Sequence, residues 1–330
     1  MFASQNSFLF DPYLMPSLKL LLLQSFIKAD LDFLYEKLSP FYEITQPEVY
    51  DEPSLSALIK EADVALGAKL SVGLLDASRR LKLLQTPGSS VDHLDLRALS
   101  SKGVCVCNSS SHAPQVAEHA VAMLLSLMRK VALHDRLLRS GVWYRPSGST
   151  DDAQYQSDSL IGAKIGFIGY GRINKAISKL LAGFDVKNFV YSRSSEAVTT
   201  ADLLDLFLIC DAIFVGVPLT QETRGMIGMR ELTAKSPAPY LINISRAEIV
   251  NQDAASFVLS NKAIRGFAFD VPYGGSHNFK GVERFVKFNN ALISPHRAGT
   301  VRGQSPNLHD VVGNLIAFSR GEKLNNIIKF

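Results

Sequence analysis

Three short segments of the chain place a chemically versatile side chain just after an apolar run. They contain Arg246, Asp270 and His296. An arginine can hold a carboxylate through two parallel hydrogen bonds, and a histidine can pass a proton near neutral pH. Ligands of open α/β sheets bind outside the carboxyl ends of the strands, so we expect all three side chains to reach one crevice.

A glycine turn precedes these segments. The apolar run Lys164–Ile168 leads into Gly169-Tyr-Gly171 and then into a predicted helix. In a dinucleotide-binding fold the first glycine makes the tight turn, and the second lets the backbone approach the pyrophosphate at the helix N-terminus. Asn174 replaces the third glycine of that pattern. We expect this replacement to loosen the packing of the helix against the strand more than it disturbs the phosphate site.

The end of the next strand predicts which nicotinamide cofactor is used. An NAD-selective site carries an acidic residue about 20 residues further on, which holds the ribose 2′-hydroxyl. Here the strand ends in Ser192, Arg193 and Ser194. A guanidinium between two hydroxyls can donate charge-assisted hydrogen bonds to a 2′-phosphate. The sequence therefore predicts NADP(H), with NAD(H) as the alternative cofactor and a solvated surface arginine as the competing interpretation.

The elements that position these residues are indicated by short apolar runs alternating with helical patterns. Such alternation predicts an α/β fold of parallel strands, with right-handed crossovers and helices on both faces. A long amphipathic helix is predicted over Pro114–Arg139, and a loop over 147–157. The predicted strands are Leu18–Gln24, Tyr42–Gln46, Asp63–Leu66, Leu81–Gln85, Val104–Asn108, Lys164–Ile168, Asn188–Tyr191, Ala212–Val217, Tyr240–Ile244, Gly266–Phe269 and Ala291–Ser294.

Length and composition restrict the class of protein. With 330 residues, 47% hydrophobic and 20% charged, the chain is long enough for about two globular domains and unlike a disordered protein. The net charge of +4 is scattered along the sequence, which argues against nucleic acid as a partner. The apolar run Leu18–Leu23 is too short to span a membrane.

The three cysteines predict a reducing, cytoplasmic compartment rather than a disulfide framework. Cys105, Cys107 and Cys210 are an odd number of thiols inside apolar runs, as in intracellular proteins. No second pair of ligands accompanies Cys105 and Cys107, so we expect no metal site. These two cysteines are predicted to face opposite sides of their strand.

Several ordered motifs carry a resemblance to a known family over almost the full chain. They are Thr86–Asp95, Val116–Ala122, the glycine turn and Cys210–Thr223. With these motifs the chain resembles the D-isomer-specific 2-hydroxyacid dehydrogenases. Its Ser-Arg-Ser strand end is similar to that of the NADPH-dependent glyoxylate and hydroxypyruvate reductases within that family.

The resemblance implies two doubly wound parallel-sheet domains. A Rossmann nucleotide domain over 108–298 would be inserted in a flavodoxin-like substrate domain over 1–107 and 299–330. It also implies a homodimer formed through the nucleotide domain, because the helix from Pro114 and the arm near Trp143 resemble the family's interface.

The resemblance further implies a reaction, the NADPH-dependent interconversion of a 2-oxo acid and a D-2-hydroxy acid. Arg246 would hold the substrate carboxylate, helped by backbone N–H groups around Ser89 and Ser90. His296 would be the general acid and base at the substrate oxygen, and Asp270 would lie near the nicotinamide ribose. The residues expected to contact the cofactor are Gly169, Gly171, Arg172, Ile173, Ser192, Arg193, Ser194, Val217, Pro218, Thr223, Ile244 and Asp270.

One position departs from the family pattern. Five residues after the equivalent of Asp270 the family has a glutamate that pairs with the histidine and favours its charged form, whereas this chain has Gly275. We therefore expect His296 to take up a proton less readily, and reduction to fall off at lower pH than in a relative with the glutamate. An insertion in this chain relative to the family pattern would bring His277 or Glu283 into the pocket instead.

Two other functions stay open at this point. The first is a nucleotide-binding sensor or interaction protein with weakened catalysis, which Gly275 and Asn174 suggest. The second is a relative that oxidises formate or phosphite, although neither the expected amide partner nor an acidic NAD-type residue is present. Arg246 and His296 favour the dehydrogenase, since a nucleotide sensor has no need of a carboxylate clamp.

Overall fold

The computed structural model describes residues 18–143, 155–193, 197, 199–200, 202–274 and 279–329. The chain forms two compact units: unit 1 consists of Met1–Ser109 with Asn307–Phe330, and unit 2 of Ser110–Pro306. Each unit contains one parallel sheet, which confirms the predicted α/β class. The domain boundaries that the resemblance implies, 1–107 with 299–330 and 108–298, stay a prediction.

All eleven predicted strands are present, and their ends differ from the prediction by at most two residues. The strands are β1 (Leu18–Leu22), β2 (Tyr42–Thr45), β3 (Val64–Leu66), β4 (Leu83–Gln85), β5 (Cys105–Cys107), β6 (Lys164–Ile168), β7 (Lys187–Tyr191), β8 (Ala212–Val215), β9 (Ala238–Asn243), β10 (Ile264–Phe269) and β11 (Ala291–Ile293). The helices are α1 (Lys28–Leu38), α2 (Glu52–Leu58), α3 (Val72–Ala77), α4 (Leu96–Ser101), α5 (Ala113–Met128), α6 (Val131–Arg139), α7 (Arg172–Leu181), α8 (Leu203–Ile209), α9 (Met229–Leu232), α10 (Gln252–Ser260) and α11 (Leu308–Ser319). No helix in the described part of the chain has both the length and the apolar character to cross a membrane.

The single helix predicted over Pro114–Arg139 is wrong, because the segment forms two helices, α5 and α6. Lys130 between them has a left-handed φ of 54°, which ends one α-helix before the next begins. Pro114 lies in the first turn of α5, where a proline breaks no helical hydrogen bond. Most of the loop predicted over 147–157 lies outside the described residues.

Unit 1 has the strand order β2-β1-β3-β4-β5, all parallel, which is the flavodoxin-like order. One face of this sheet packs against α1 and α11, and the other against α2, α3 and α4. Leu308, Val311 and Leu315 of α11 are buried in the first of these cores, and the Tyr42 hydroxyl donates to Leu315 O at 2.6 Å. The segment after residue 306 therefore completes the core of unit 1.

The prediction that Cys105 and Cys107 face opposite sides of β5 is wrong. Cys107 is buried in the core that contains α1 and α11, and Cys105 packs against the same core. Residues two apart on a strand point to the same face. Burial raises the pKa of the Cys107 thiol to about 12, so this side chain is a protonated core residue.

Unit 2 has the strand order β11-β10-β9-β8-β6-β7, also all parallel. Phe167 and Phe214 face α5 and α7, while Ile168 and Val215 face α8 and α10. From β6 the chain adds β7 on one side and then β8 to β11 on the other. This reversal opens a crevice between the carboxyl ends of β6 and β8, where doubly wound folds bind their ligands.

Candidate active site

The glycine turn lies at the carboxyl end of β6, at this crevice. Gly169 has a φ of 77°, and a Cβ on it would lie 2.7 Å from Val217 Cγ1, so glycine is required there. Gly171 precedes α7, and among the described residues no side chain caps the helix at this point. A Cβ on Gly171 would meet no described atom within 4 Å. Open space beside the N–H groups of a helix N-terminus fits the pyrophosphate of a dinucleotide.

Asn174 attaches α7 to the turn after β6 by a hydrogen bond, contrary to the expectation that it loosens the packing of the helix. Its side chain is only 1% exposed, and its Nδ2 donates to Gly169 O at 2.7 Å. A Cβ on Gly216 would lie 2.6 Å from the same Nδ2 atom. The amide therefore fills the space between the turns that follow β6 and β8, while its Oδ1 atom has no hydrogen-bond partner among the described residues.

The residues predicted to choose the cofactor follow β7. Arg193 Nη1 lies 2.5 Å from Glu222 Oε2, and both side chains are exposed. The hydrogen bond to Glu222 raises the pKa of the Arg193 guanidinium. A carboxylate thus stands beside Arg193 that the sequence alone did not assign, because it arrives from a segment 29 residues away. Ser192 follows the strand as predicted, and Ser194 lies outside the described residues.

The segment after β8 forms a hydrogen-bonded turn that contains three predicted cofactor residues, Val217, Pro218 and Thr223. The Thr223 hydroxyl donates to Pro218 O at 2.7 Å and accepts from Thr220 N at 2.8 Å. The Ser245 hydroxyl donates to Val217 O. This last bond joins the segments that follow β8 and β9 along one edge of the sheet.

Arg246 is positioned by the last residue of β9. Asn243 is 1% exposed, its Oδ1 accepts from Ser245 N at 3.1 Å, and its Nδ2 donates to Arg246 O at 2.8 Å. Ile244 between them is buried. The half-buried guanidinium donates to Ser245 O at 3.2 Å, so backbone and side chain are both held at the carboxyl edge.

Asp270 and His296 meet in a second hydrogen-bonded turn. Asp270 follows β10 and is 2% exposed; its carboxylate accepts from Arg297 N at 2.8 Å and from Ala298 N at 3.0 Å. The Ser294 hydroxyl donates to the same carboxylate. His296 N donates to Asp270 O at 2.7 Å, and the exposed His296 has a left-handed φ of 56°. The buried aspartate thus organises the backbone around the histidine.

His119 joins this network, which sequence reasoning missed. Its Nε2 atom lies 2.8 Å from Ser294 Oγ and 3.8 Å from Asp270 Oδ1. The spacing of apolar residues on α5 identified the helix as a core element, and nothing local in the sequence relates His119 to a strand end 175 residues away.

In unit 1, Ser89 and Ser90 lie on the segment after β4. Thr86 N donates to Cys107 O at 2.8 Å, and Asn108 Nδ2 donates to Ser89 O at 2.6 Å. The segment is therefore attached to the end of β5, and the Ser90 hydroxyl donates to the carboxylate of Asp92.

The position of the family's glutamate lies outside the described residues, as do both Gly275 and His277. Glu283 is exposed, and its N–H donates to Phe279 O at 3.2 Å. The effect of having Gly275 in place of the family's glutamate therefore stays a prediction.

A glycine turn at a helix N-terminus, an arginine and a histidine, all at the strand ends of one sheet, are the kinds of group that a nicotinamide-dependent dehydrogenase needs. Residues 121–298 match the family model for the NAD binding domain of D-isomer specific 2-hydroxyacid dehydrogenases. The chain belongs to this family, as its motifs predicted, and it is an NAD(P)-dependent dehydrogenase.

Individual relatives agree with this assignment. The chain is 30% identical over 310 residues to a glyoxylate reductase of Thermococcus litoralis, covering 87% of this chain and 91% of that protein. It has a TM-score of 0.78 and 26% identity to an NADPH-dependent glyoxylate/hydroxypyruvate reductase from Sinorhizobium meliloti, solved with citrate, covering 94% of this chain and 97% of that one. An NAD-dependent formate dehydrogenase from Staphylococcus aureus, solved with NAD, has the same fold, with a TM-score of 0.76 and 24% identity over 94% of this chain and 99% of that one.

Proposed function

We propose that this chain is an NADPH-dependent reductase of small 2-oxo acids, which it converts to D-2-hydroxy acids, and that NADH is its weaker cofactor. The observation that carries the proposal is the adjacency of β9, β10 and β11 in one sheet, with Arg246, Asp270 and His296 after their carboxyl ends. The relatives named as glyoxylate reductases support a short substrate.

Arg246 is proposed to orient the substrate. A guanidinium presents donors in a planar fork that matches a carboxylate, so it fixes the substrate plane as well as its charge. The buried amide of Asn243 holds the backbone at Ser245 and Arg246, so the guanidinium is presented from a rigid strand end. Backbone N–H groups around Ser89 and Ser90 of unit 1 keep their proposed role in binding the substrate.

His296 is proposed to move the proton. In the reducing direction its imidazolium donates to the carbonyl oxygen as negative charge develops there, and in the oxidising direction the neutral ring removes the hydroxyl proton. An exposed histidine can recover its proton from water between turnovers. If no carboxylate replaces the family's glutamate, reduction falls off at lower pH than in a relative that has it, because the imidazolium is lost at lower pH.

The residues after β6, β7 and β8 fit a dinucleotide, because the described part of the chain leaves open space beside Gly171 and places no side-chain cap at the start of α7. Gly169, Gly171, Arg172 and Ile173 are proposed to hold its pyrophosphate, and Ser192 with Arg193 its 2′-phosphate. Val217, Pro218, Thr223, Ile244 and Asp270 are proposed to lie along the rest of the cofactor. A nicotinamide cofactor bound there would supply hydride for the carbonyl carbon of the substrate.

The test follows the oxidation of NADPH and NADH with a panel of 2-oxo acids that includes glyoxylate and hydroxypyruvate. We expect Arg246→Lys to raise the KM for the 2-oxo acid about 10–100-fold, because a lysine keeps the charge but not the paired donors. We expect His296→Ala to lower kcat about 10²–10⁴-fold, with the affinity for NADPH unchanged.

Matched controls are available outside the site. Arg284 pairs with Asp253 on the surface, and His134 lies on α6, so Arg284→Lys and His134→Ala should leave both constants unchanged. If NADPH binds but no 2-oxo acid is reduced at any pH, the reductase proposal is wrong and a nucleotide-binding sensor explains the fold.

The proposed homodimer is tested by sedimentation equilibrium, in which the mass of the particle should be twice that of one chain.

A further inference from the structure

We propose that His119 and Ser294 are positioning residues, which act through the Asp270 carboxylate on the turn that carries His296. The kinetic part of this inference rests on the proposed function, whereas its structural part does not. His119, Ser294 and Asp270 come from three separate elements, α5 and the segments after β11 and β10. Their hydrogen bonds form a chain that ends at the backbone N–H groups of Arg297 and Ala298, the two residues that follow the proposed proton carrier His296.

The direction of each hydrogen bond follows from the number of protons available. An ionised carboxylate only accepts, so the single hydroxyl proton of Ser294 is donated to Asp270. Ser294 Oγ must then accept from His119, whose Nε2 lies 2.8 Å away. His119 therefore carries its proton on Nε2, in the neutral ring as well as in the charged one. The histidine and the serine together supply one donor to a buried anion.

The buried anion has a structural task that depends on this donor. Its two oxygens accept from Arg297 N at 2.8 Å and from Ala298 N at 3.0 Å. These amides directly follow His296, whose φ of 56° is unfavourable for a residue with a side chain. Residues held in such conformations persist only when the surrounding bonds over-determine them. Asp270 provides those bonds, and the Ser294 hydroxyl fixes the orientation of the carboxylate that makes them.

Removal of the donor should therefore release the turn rather than unfold the sheet. Without Ser294 Oγ, the Asp270 carboxylate loses one of its hydrogen-bond donors and can rotate away from the Arg297 and Ala298 amides. The His296 ring then samples more positions, and the fraction of molecules with the ring in the productive position falls. Such a change lowers kcat while leaving the glycine turn after β6 intact.

The structural part is tested by hydrogen–deuterium exchange of the whole chain, read in peptides that cover residues 294–300. We expect Ser294→Ala and His119→Leu to speed exchange of the Arg297 and Ala298 amides about tenfold, the size of one charge-assisted hydrogen bond. Ser294→Thr keeps the hydroxyl and His119→Gln keeps a donor near Nε2, so both should restore protection. His134→Leu, on α6, should change nothing. Faster exchange throughout α5 would instead show that His119 only supports its helix.

The kinetic part uses the same variants with glyoxylate and NADPH. We expect kcat to fall about tenfold in Ser294→Ala and in His119→Leu, with KM changed less than twofold. The double variant should be no slower than Ser294→Ala, because both substitutions interrupt one chain of bonds. The two conservative variants should recover most of kcat.

The outcomes separate this inference from the proposed function. If exchange in residues 294–300 is unchanged in Ser294→Ala and His119→Leu, the positioning role is refuted whether or not the chain reduces a 2-oxo acid. Unchanged kcat in an active enzyme refutes it as well. If exchange rises as expected while the native chain reduces no 2-oxo acid, the positioning role stands and the proposed function fails.

Discussion

Asn174 and Gly216 form a steric pair whose energetics can be worked out from the structure. A Cβ on Gly216 would lie 2.6 Å from Asn174 Nδ2 and 2.9 Å from its Cγ, whereas heavy atoms in contact need about 3.5–4.0 Å. In Gly216→Ala the buried amide must move by about 1 Å, which breaks its 2.7 Å bond to Gly169 O. Overpacking costs about 1–3 kcal/mol and the lost hydrogen bond about 1 kcal/mol. We therefore expect Gly216→Ala to lower the free energy of unfolding by about 2–4 kcal/mol.

The companion substitution reverses this loss. Asn174→Ala removes the hydrogen bond, at a cost of about 1 kcal/mol, but also removes a buried Oδ1 atom that has no partner among the described residues. Its stability should lie within about 1 kcal/mol of the native chain. With the amide gone, the new methyl group of Gly216→Ala has room, so the double variant should recover about 2 kcal/mol relative to Gly216→Ala alone.

Calorimetric melting with a check of reversibility measures this cycle. For a unit of this size about 1 kcal/mol corresponds to 2–4 °C, so Gly216→Ala should melt roughly 5–15 °C lower. Gly183→Ala is the matched control, since a Cβ there would meet no described atom within 4 Å. If Gly216→Ala melts with the native chain, or if Asn174→Ala fails to rescue it, the packing argument is refuted.

Three further predictions concern the proposed cofactor site and one buried thiol. Gly169→Ala should abolish NADPH binding in a fluorescence titration, because the φ of 77° at Gly169 and the nearby Val217 side chain exclude a Cβ there. Native affinity for NADPH in this variant would contradict the prediction. Arg193→Gln should weaken NADPH binding about tenfold and NADH binding less than twofold. Glu222→Gln should strengthen NADPH binding about two- to fivefold, and high salt should reduce this effect. Equal changes for both cofactors would contradict a role of Arg193 in binding the 2′-phosphate. Burial raises the pKa of the Cys210 thiol to about 12, whereas a cysteine in an unfolded chain has a pKa of about 8.5. Between these two values the folded state binds more protons than the unfolded state. The free energy of unfolding therefore falls as pH rises from about 9 to 12. Urea unfolding should show a smaller loss between about pH 8 and 10 in Cys210→Ala than in the native chain, and the same loss in both would refute the pKa shift.

The strands could be predicted because strands buried on both faces of a parallel sheet appear as continuous apolar runs. The break at Lys130 could not, since neither glycine nor proline marks it and a left-handed lysine has no sequence signature. The helical spacing over Pro114–Arg139 continues through the break, so periodicity alone joined α5 and α6.

The candidate site shows the same division. Gly169, Arg246 and His296 were found because each follows an apolar run in a local pattern. Glu222 and His119 were missed because their partners are distant in sequence and depend on which strand ends are neighbours. The effect of Asn174 was judged wrongly because it depends on the bare backbone of Gly216, which only the packed structure brings next to it.

The position of α11 in the core of unit 1 sets an order of events during protein synthesis. Leu308, Val311 and Leu315 belong to the same core as β1 and β3, yet the ribosome adds them only after the whole of unit 2. At about 5–20 residues per second, roughly 10–40 s pass between the completion of β5 and the arrival of α11. Unit 2 is continuous in sequence and can fold in that interval, while the N-terminal part of unit 1, residues 1–109, keeps an apolar face uncovered. In a growing chain, that face is where a chaperone would bind.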